Sequence, residues 1–257
     1  MAVNASTTAG NGVQGRGPSE SKNRMDRAPF LMPSSKGMDS LWTQGFAHLP
    51  QLLTPNECLE TRSLYTDAAH FRSRIDMKRY RFGQGEYQYF AYPLPDRIAA
   101  LRTRLYDQLV PIAREWMSAL KLPIEFPDHH ADFIETCHSA QQTRPTPLLL
   151  RYQAGDFNCL HQDLYGAIFF PFQVVICLSE PGTEFTGGEL MLVEQRPRAQ
   201  SVGRVIPLKQ GDAAVIATRY RPAQGARGFY RTNIKHGVST ILSGERYTLG
   251  IIFHDAE

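Results

Sequence analysis

The pattern of apolar and polar residues changes near residue 146. From there on, short runs rich in β-branched and aromatic residues alternate with Gly, Pro, Asp and Ser, which is typical of strands joined by turns. The runs are LLLRYQAG, FQVVICLSE, GELMLVEQ, RVIPLKQ, DAAVIATR, HGVSTILSG and RYTLGIIFH. Seven or eight short strands at this spacing predict a sandwich or a jelly roll.

Helices are predicted before this β-rich region. After a short predicted strand in GFAHLPQLL, Thr54-Pro55-Asn56-Glu57 has a threonine cap, proline at the first helical position and glutamate three residues after the cap. Beyond Pro95, apolar residues recur every three or four positions and predict one face of a second helix. They are Ile98, Leu101, Leu105, Leu109, Ile112 and Trp116. Pro111 lies inside this stretch and predicts a kink or a break.

Residues 1–40 are rich in Ala, Ser, Thr, Gly and Asn, with almost no large apolar side chain before Phe30. Because such a segment cannot bury enough surface to offset its ordering entropy, residues 1–40 are predicted to form a disordered tail. Residues 41–145 are predicted as a helical and strand support region, and 146–257 as the β core of a single domain spanning 41–257. The predicted fold class is therefore α+β, mainly β, with N-terminal helices packed against a jelly roll.

Composition restricts the function classes only slightly. The 257 residues are 42% hydrophobic and 21% charged, which is ordinary for a globular protein, and the net charge of +3 does not identify a polyanionic partner. No run of about 18 apolar residues is present, so we expect no membrane partner. The N-terminus also lacks the apolar segment of a secretory signal. The cysteines, Cys58, Cys137, Cys159 and Cys177, show no CxxC or zinc spacing, which favours reduced, mostly buried thiols of a cytoplasmic protein.

The stretch NCLHQDLYG, residues 158–166, contains candidate metal ligands. His161 and Asp163 either form part of a polar turn or are two ligands of a metal ion. A metal site would need a third ligand from a distant strand, and a jelly roll brings distant strands together at its open mouth. His236 begins one of the last predicted strands, with Arg246 ten residues later and Thr248 two residues beyond that.

These residue types suit one kind of chemistry. Two imidazoles and a carboxylate on one face of an octahedral ion leave three positions open, as ferrous iron requires when it binds both an organic cosubstrate and oxygen. A 2-oxo acid would fill two positions, and its far carboxylate would need a buried cation. The planar fork of Arg246 is well suited to that carboxylate, and Thr248 would point to the same face of the strand.

Simpler interpretations remain open for each part of this pattern. Most HxD pairs lie on surfaces or in turns, and a buried histidine is more often a core residue than a ligand. The full combination is much more specific than an HxD pair alone. It consists of HxD at the edge of a strand, His236 on another strand and Arg246 ten residues later. A sugar- or metal-binding jelly roll without catalytic activity is the non-enzymatic alternative, but it has no need of Arg246.

The chain resembles the iron(II)/2-oxoglutarate-dependent dioxygenases, whose core is a double-stranded β-helix. It is more closely similar to a bacterial oxygenase family assigned to nucleic acids and related to the AlkB demethylases of DNA repair. The resemblance to this family runs from about residue 41 to the C-terminus. It is carried by FRSRIDM, FGQGEYQYFAYPLP, QTRPTPLLLRYQAGDFNCLHQDLYG, FTGGELMLVEQRPRAQS and HGVSTILSGERYTLGIIFHDA.

The resemblance implies an enzyme that oxidises a substrate C–H bond and releases succinate and CO2. Its cofactors would be Fe(II), 2-oxoglutarate and O2, with ascorbate as a candidate reductant. RYQAGDFNCLHQD is similar to a ligand segment of AlkB, and this likeness implies that His161, Asp163 and His236 bind iron. It also implies that Tyr152 contacts the cosubstrate and that Arg246 matches the first arginine of AlkB's closing motif.

The chain departs from AlkB at two positions. The second arginine of AlkB's closing motif is here Ile252, and its 2-oxoglutarate-binding asparagine is here Leu150. Because the first change removes a substrate-side charge, the shared pattern supports the reaction type better than it supports recognition of a methylated base.

The candidate substrate is nucleic acid, from the resemblance and from the distribution of charge. Between Arg196 and Lys235, basic residues outnumber acidic ones nine to one. A second basic patch, Arg72, Arg74, Lys78, Arg79 and Arg81, is interleaved with Tyr80, Phe82, Tyr87, Tyr89 and Phe90. Basic and aromatic residues together suit a single strand or an extruded base, although a solvated strand face with inward aromatics has the same pattern. The candidate substrate contacts are Gln162, Tyr165, Arg79, Arg81, Tyr87 and Tyr89. The alternative substrate is a protein side chain or a small metabolite, and no protein partner is predicted.

Overall fold

The computed structural model describes residues 35–257, which contain five α-helices and fourteen strands. The helices are α1 (Ser35–Gln44), α2 (Pro55–Ser63), α3 (Met77–Tyr80), α4 (Asp96–Ala119) and α5 (His130–Ser139). The strands are β1 (Phe46–Leu49), β2 (Phe71–Asp76), β3 (Gly83–Gln84), β4 (Glu86–Phe90), β5 (Leu148–Gln153), β6 (Phe157–His161), β7 (Phe172–Cys177), β8 (Phe185–Gly187), β9 (Leu190–Gln195), β10 (Val202–Ile206), β11 (Ala213–Ala217), β12 (Tyr220–Gly225), β13 (Gly228–Val238) and β14 (Ile241–Ile252). Among these residues, none of the helices combines the length and apolar character that a membrane crossing needs.

The strands form two antiparallel sheets. The major sheet has the order β1-β11-β7-β14-β5-β4-β2, with β8 paired to β14. The minor sheet has the order β10-β9-β13-β6-β3, with β12 paired to β13. Sequential strands are thus divided between two sheets in the manner of a jelly roll, and the predicted double-stranded β-helix with added helices is confirmed.

Strands from the N-terminal region complete both sheets. β1 pairs with β11 at one edge of the major sheet, and β4 and β2 continue the same sheet beyond β5. β3 pairs with β6 in the minor sheet. Both sheets therefore extend across the predicted boundary at residue 146.

The predicted tail, residues 1–40, lies outside the described residues except for its last six positions. Those positions are helical, because α1 begins at Ser35, and the predicted start of order at 41 was therefore too late. Leu41 is fully buried, and the Trp42 ring packs edge-on against Trp116 of α4 at 5.9 Å. Burial of these apolar side chains stabilises a helix that the polar composition of residues 1–40 does not predict.

The two helix signals read from the sequence are both present. Thr54 caps α2 in a capping box with Glu57. α4 buries its predicted face except for the half-buried Ile112, and the Trp116 ring packs against Phe172 of β7 with the ring centroids 4.6 Å apart. The helix is not broken at Pro111, because this ring faces solvent while buried residues on both sides of it anchor the helix.

Several strands differ from the runs expected from the sequence. HGVSTILSG is not one strand, because β13 ends at Val238 and β14 begins at Ile241, with the turn between them. β2, β3, β4, β8 and β12 were not predicted. Several are short or carry polar and exposed residues, so their apolar signal is weak.

A buried polar network holds the end of β14 against the helices. Arg102 of α4 is 1% exposed, donates to the backbone carbonyls of Ile252 and Phe253, and pairs with Asp255 at 2.8 Å. His138 of α5 contacts the second oxygen of Asp255 at 2.9 Å. Since the cation and the carboxylate are both buried and paired, removal of either one would leave an uncompensated charge.

Protonation of the buried His130 should make the stability of the protein depend on pH. Burial and the nearby Arg102 lower the pKa of His130 from 6.5 to about 4. The pKa of His130 is lower in the folded protein than in the unfolded chain, so the unfolded chain is protonated first as the pH falls. The free energy of unfolding therefore decreases as the pH falls from about 6.5 to 4. The loss at pH 4 should approach about 3 kcal/mol, at 1.36 kcal/mol per pKa unit.

Thermal unfolding measured between these pH values checks this. His130→Gln keeps a donor for the Phe253 carbonyl, which lies 2.9 Å from His130 Nε2, but it does not titrate. We expect the Tm of this variant to fall less steeply with pH than that of the wild type. Parallel curves would contradict the assignment.

Candidate metal centre

The two candidate histidine ligands lie directly opposite each other in the minor sheet. His161 ends β6, and His236 lies on β13, which pairs with β6 in the register His236↔His161. The ring centroids are 4.3 Å apart. Antiparallel pairing therefore joins residues that are 75 positions apart in the chain (161 and 236).

A β-bulge brings His161 onto the inner face of the minor sheet. The next registered pair is Val238↔Asn158, so β6 advances three residues where β13 advances two. The extra residue on β6 lets Asn158 and His161 face the same side. Gly237 lies opposite the bulge, where a Cβ would lie 2.7 Å from the carbonyl oxygen of Asn158, and a larger residue there would push the strands apart.

Asp163 completes a compact group of possible ligands. Its Oδ1 lies 3.4 Å from His161 Nε2, and its Oδ2 lies 3.2 Å from His236 Nε2. One ligand atom from each of the three residues lies within 4.8 Å of the others. These distances fit an arrangement in which all three atoms point to one ion.

A backbone contact orients the His161 ring. Its Nδ1 lies 2.7 Å from the Cys159 carbonyl oxygen, which can only accept, so Nδ1 carries a proton and Nε2 is the ring nitrogen that faces Asp163. Metal-binding histidines commonly use a carbonyl in this way. On the other side of the site, the Gln173 amide nitrogen lies 3.4 Å from both ring nitrogens of His236, which links β7 of the major sheet to the site.

The three groups shift one another's pKa values. Burial would raise the pKa of Asp163, but His161 and His236 hold it well below its usual range. Burial would lower the pKa of His161, but the Asp163 carboxylate outweighs it and raises that pKa. Burial and the nearby His161 lower the pKa of His236. The site therefore holds an ionised carboxylate beside a neutral, buried His236.

Three predicted substrate residues make hydrogen bonds within the chain. The Gln162 amide donates to the backbone carbonyls of Arg219 and Ile234, so it ties the loop after β6 to β13. Tyr165 donates to Asp163 Oδ1 at 2.8 Å. Tyr89 is 8% exposed and donates to the Tyr165 hydroxyl at 3.0 Å, so its ring is not an exposed stacking surface. The sequence could not distinguish these contacts from substrate contacts. The partners of Gln162 and Tyr89 lie far away in the chain, and the contact of Tyr165 with Asp163 depends on how one loop folds.

Arg246 and Thr248 lie buried on the inner face of β14, as expected. Arg246 Nη1 lies 3.4 Å from the Thr248 hydroxyl, and the guanidinium carbon lies 5.6 Å from the centre of the Tyr152 ring, which is opposite it on β5. Within residues 35–257, no carboxylate pairs with this cation, although it is only 2% exposed. Gly188 packs so closely that a Cβ there would lie 3.0 Å from Arg246 Cδ.

A cavity of about 630 Å3 reaches Arg246. Its apolar lining includes Phe185, Leu190, Ile206 and Leu208, and the ion-paired His48 and Asp212 lie at its edge. None of the three clustered ligands lines it. Tyr152 lies between the two regions, since its ring faces Arg246 and its hydroxyl lies 3.4 Å from the Asn158 amide on β6.

The two positions that differ from AlkB lie on an apolar wall beside the site. Ile252 is 1% exposed and packs with Tyr89 and Leu148, while Tyr87 and Leu150 pack against this group at its partly exposed edge. Tyr165 joins the wall to Asp163. An arginine at position 252 would therefore have to replace a packed apolar side chain.

The predicted basic patches are only partly available to a ligand. Arg221 and Arg196 pair with the fully buried Glu194, and so does Arg204, so these three side chains are engaged by one carboxylate that offsets part of their charge. In the second patch, Arg74 pairs with Glu86, and Arg72 lies over the Tyr89 ring. Arg79 and Arg81 are exposed beside a stacked pair of exposed rings, Tyr80 and Phe82, whose centroids are 5.7 Å apart.

Comparison with protein families gives a match over most of the β-rich region. The model of the family Oxygenase-NA, described as "Oxygenase, catalysing oxidative methylation of damaged DNA", matches residues 85–256. This range contains His161, Asp163, His236 and Arg246.

The chain is also similar to two bacterial proteins and to a solved structure. Two uncharacterized proteins of Mycobacterium tuberculosis, from strains CDC 1551 and H37Rv, are each 52% identical to this chain over 167 residues, covering 65% of this chain and 72% of the relative. The crystal structure of a prolyl-4-hydroxylase from Pseudomonas putida is similar with a TM-score of 0.52 and 15% identity, over 86% of this chain and 98% of that one. At this identity the likeness shows a shared fold alone.

The geometry of the cluster predicts that single ligand changes remove metal binding. His161→Ala or Asp163→Ala takes away one of three convergent donors, and we expect tight binding of Co(II), measured by titration, to be lost while the far-UV spectrum stays unchanged. His129→Ala is the matched control, because His129 is exposed and outside the cluster. Wild-type Co(II) affinity in either ligand variant would refute the assignment.

Proposed function

Because the chain belongs to the Oxygenase-NA family, we propose that it is an iron(II)- and 2-oxoglutarate-dependent dioxygenase that oxidises a C–H bond in nucleic acid and releases succinate and CO2. The observation that carries the proposal is the combination of the His161, Asp163 and His236 cluster with a buried Arg246 on the facing sheet. The cluster directs three donors toward one another, and among the described residues no carboxylate lies within ion-pairing distance of Arg246, although Glu189 lines the same cavity.

The donor set fits iron(II). Two imidazole nitrogens and one carboxylate oxygen are the ligands typical of non-haem iron(II) oxygenases, and three protein donors leave positions for exogenous ligands. Iron(II), when bound, would supply the activation of O2 that C–H oxidation requires. The chain's part is to position the donors: Nε2 of His161 faces Asp163, which is ionised, and His236 is neutral.

The surroundings of Arg246 fit the far carboxylate of 2-oxoglutarate. A guanidinium that is 2% exposed and has no carboxylate partner in residues 35–257 is costly unless an anion compensates it. The fork of Arg246 can bind a carboxylate at two points, and Thr248 adds a hydroxyl donor from the same face. Tyr152, whose ring contacts Arg246, would line the path between this anchor and the metal ligands.

The substrate proposal rests on the family and on one surface. The family description refers to damaged DNA. The exposed Arg79 and Arg81 could neutralise phosphates, and the exposed Tyr80 and Phe82 could stack against bases. Tyr87, half-buried at the edge of the apolar wall, is the remaining predicted contact that a bound base could reach.

The test of the activity is a turnover screen. Purified protein with Fe(II), ascorbate and 2-oxoglutarate should release succinate in response to alkylated oligonucleotides. Succinate release stimulated instead by proline-bearing peptides or small metabolites would favour a protein or metabolite hydroxylase and would overturn the nucleic-acid proposal.

Arg246→Leu tests the cosubstrate anchor. Loss of the cation would leave the buried carboxylate of 2-oxoglutarate unpaired, at a cost of roughly 3 kcal/mol or more. The affinity for 2-oxoglutarate should therefore fall about a hundredfold or more, measured by calorimetry with Co(II)-loaded protein. Tyr152→Phe removes one hydroxyl and no charge, so its effect should be smaller. An unchanged affinity in Arg246→Leu, with Co(II) binding intact, would require another anchor.

Substitution of Arg79 and Arg81 by Gln tests the nucleic-acid surface. If these side chains contact phosphates, the double variant should bind a fluorescent single-stranded oligonucleotide more weakly and with a shallower salt dependence. The affinity for 2-oxoglutarate should not change. As a control, Arg97→Gln removes an arginine that is paired with Glu60 on another surface. No oligonucleotide binding by the wild type at low salt would count against the proposal.

A further inference from the structure

We propose that Tyr165 is a positioning residue of the metal centre: its hydroxyl holds Oδ1 of Asp163, so that Oδ2 is the oxygen left to bind the ion. This inference rests on the proposed function. It assigns to Tyr165 a role in setting how the carboxylate is presented, rather than contact with substrate.

The contacts of the two carboxylate oxygens are different. Tyr165 Oη lies 2.8 Å from Oδ1, within the range of a strong hydrogen bond to an ionised acceptor. Oδ2 has no such donor and faces His236 Nε2 at 3.2 Å. A carboxylate held through one oxygen cannot rotate freely about its terminal bond. Oδ1, which also lies 3.4 Å from His161 Nε2, is engaged by the Tyr165 hydroxyl, and Oδ2 is the oxygen without a hydroxyl donor.

The Tyr165 hydroxyl donates its proton to Asp163 and accepts from Tyr89. Tyr165 Oη lies between Asp163 and Tyr89, which is 3.0 Å away. The ionised carboxylate only accepts, so Tyr165 donates to Asp163 and accepts from Tyr89. The result is a relay of two hydroxyls that ends on Oδ1, and Tyr89 reinforces the donor that acts on the ligand.

Both rings of the relay are held by surrounding structure. Tyr89 packs edge-on against Tyr165 at 6.1 Å and against Tyr87 at 5.3 Å. The Arg72 guanidinium covers the Tyr89 ring at 4.5 Å and also donates to the Pro145 carbonyl. The backbone carbonyl of Tyr165 accepts from the amide of Glu257. Asp163 and Tyr165 belong to the loop after β6, so these contacts replace the support that a strand would provide.

A single available oxygen matters for the proposed chemistry. Three protein donors leave half of an octahedral ion free, whereas a carboxylate that binds through both oxygens would occupy a further position. By engaging Oδ1, Tyr165 keeps that position available for the cosubstrate or oxygen. Loss of the hydroxyl should therefore change the affinity for the ion and the number of carboxylate oxygens that coordinate it.

Titration of the full-length protein with Co(II) alone tests this. Tyr165→Phe keeps the ring but loses the donor, and we expect about tenfold weaker Co(II) binding, the lower end of the range for partners of metal ligands. The visible absorption of bound Co(II) should also change shape, because the coordination number changes. Tyr89→Phe leaves Tyr165 in place and should shift both readouts in the same direction by a smaller amount.

Tyr106→Phe is the matched control. It also removes a tyrosine hydroxyl bonded in the interior, to the Pro127 carbonyl at 2.9 Å, but away from the cluster. We expect its Co(II) affinity and spectrum to equal those of the wild type.

The outcomes separate the two proposals. If wild-type protein binds Co(II) and His161→Ala does not, the metal centre stands, and a wild-type spectrum and affinity in both Tyr165→Phe and Tyr89→Phe overturns the positioning role. If Tyr165→Phe does not fold, the Tyr89→Phe result decides. If the wild type binds no Co(II), both proposals fall.

Discussion

The site depends on the pairing of β6 with β13. This antiparallel contact sets His161 opposite His236, and the bulge beside Gly237 turns His161 to the inner face. The loop that follows β6 then has only to return Asp163 to the same place. Because strand register is a property of the whole sheet, the two histidines are held by the minor sheet itself, whereas Asp163 is held by the contacts of its loop.

Buried charge is distributed unequally across the barrel. Glu194 is fully buried and paired with three arginines, and Arg102 is paired with Asp255, so these ions support the fold. Arg246 is equally buried but is left without a carboxylate among the described residues. An unpaired buried cation destabilises a protein unless a ligand supplies the counter-charge, and this contrast is the strongest indication that the Arg246 position is a binding position.

The wall next to the metal ligands is apolar with tyrosine hydroxyls at its edge. Ile252, Leu148 and Tyr89 pack together, and the hydroxyls of Tyr89 and Tyr165 point toward Asp163. One surface therefore packs beside the cluster and also supplies the hydrogen bond to Asp163. The exposed Arg79, Arg81, Tyr80 and Phe82 lie in or next to α3, outside this apolar wall.

The sequence by itself determined the β-rich core, the capping box of α2 and the apolar face of α4, because these depend on local periodicity and on residue chemistry at short spacing. His161, Asp163, His236 and Arg246 were selected by residue type and by the resemblance, since a pairing across 75 positions leaves no local signal. The sequence could not determine the β6 bulge or the strands with polar residues, since register and edge pairing are set by partners far along the chain. Nor could it separate tyrosines and glutamines that contact a substrate from those that hold the site together. Gln162, Tyr165 and Tyr89 look like substrate residues by type and position, and only the tertiary structure shows that backbone carbonyls, Asp163 and a neighbouring hydroxyl already use their hydrogen bonds.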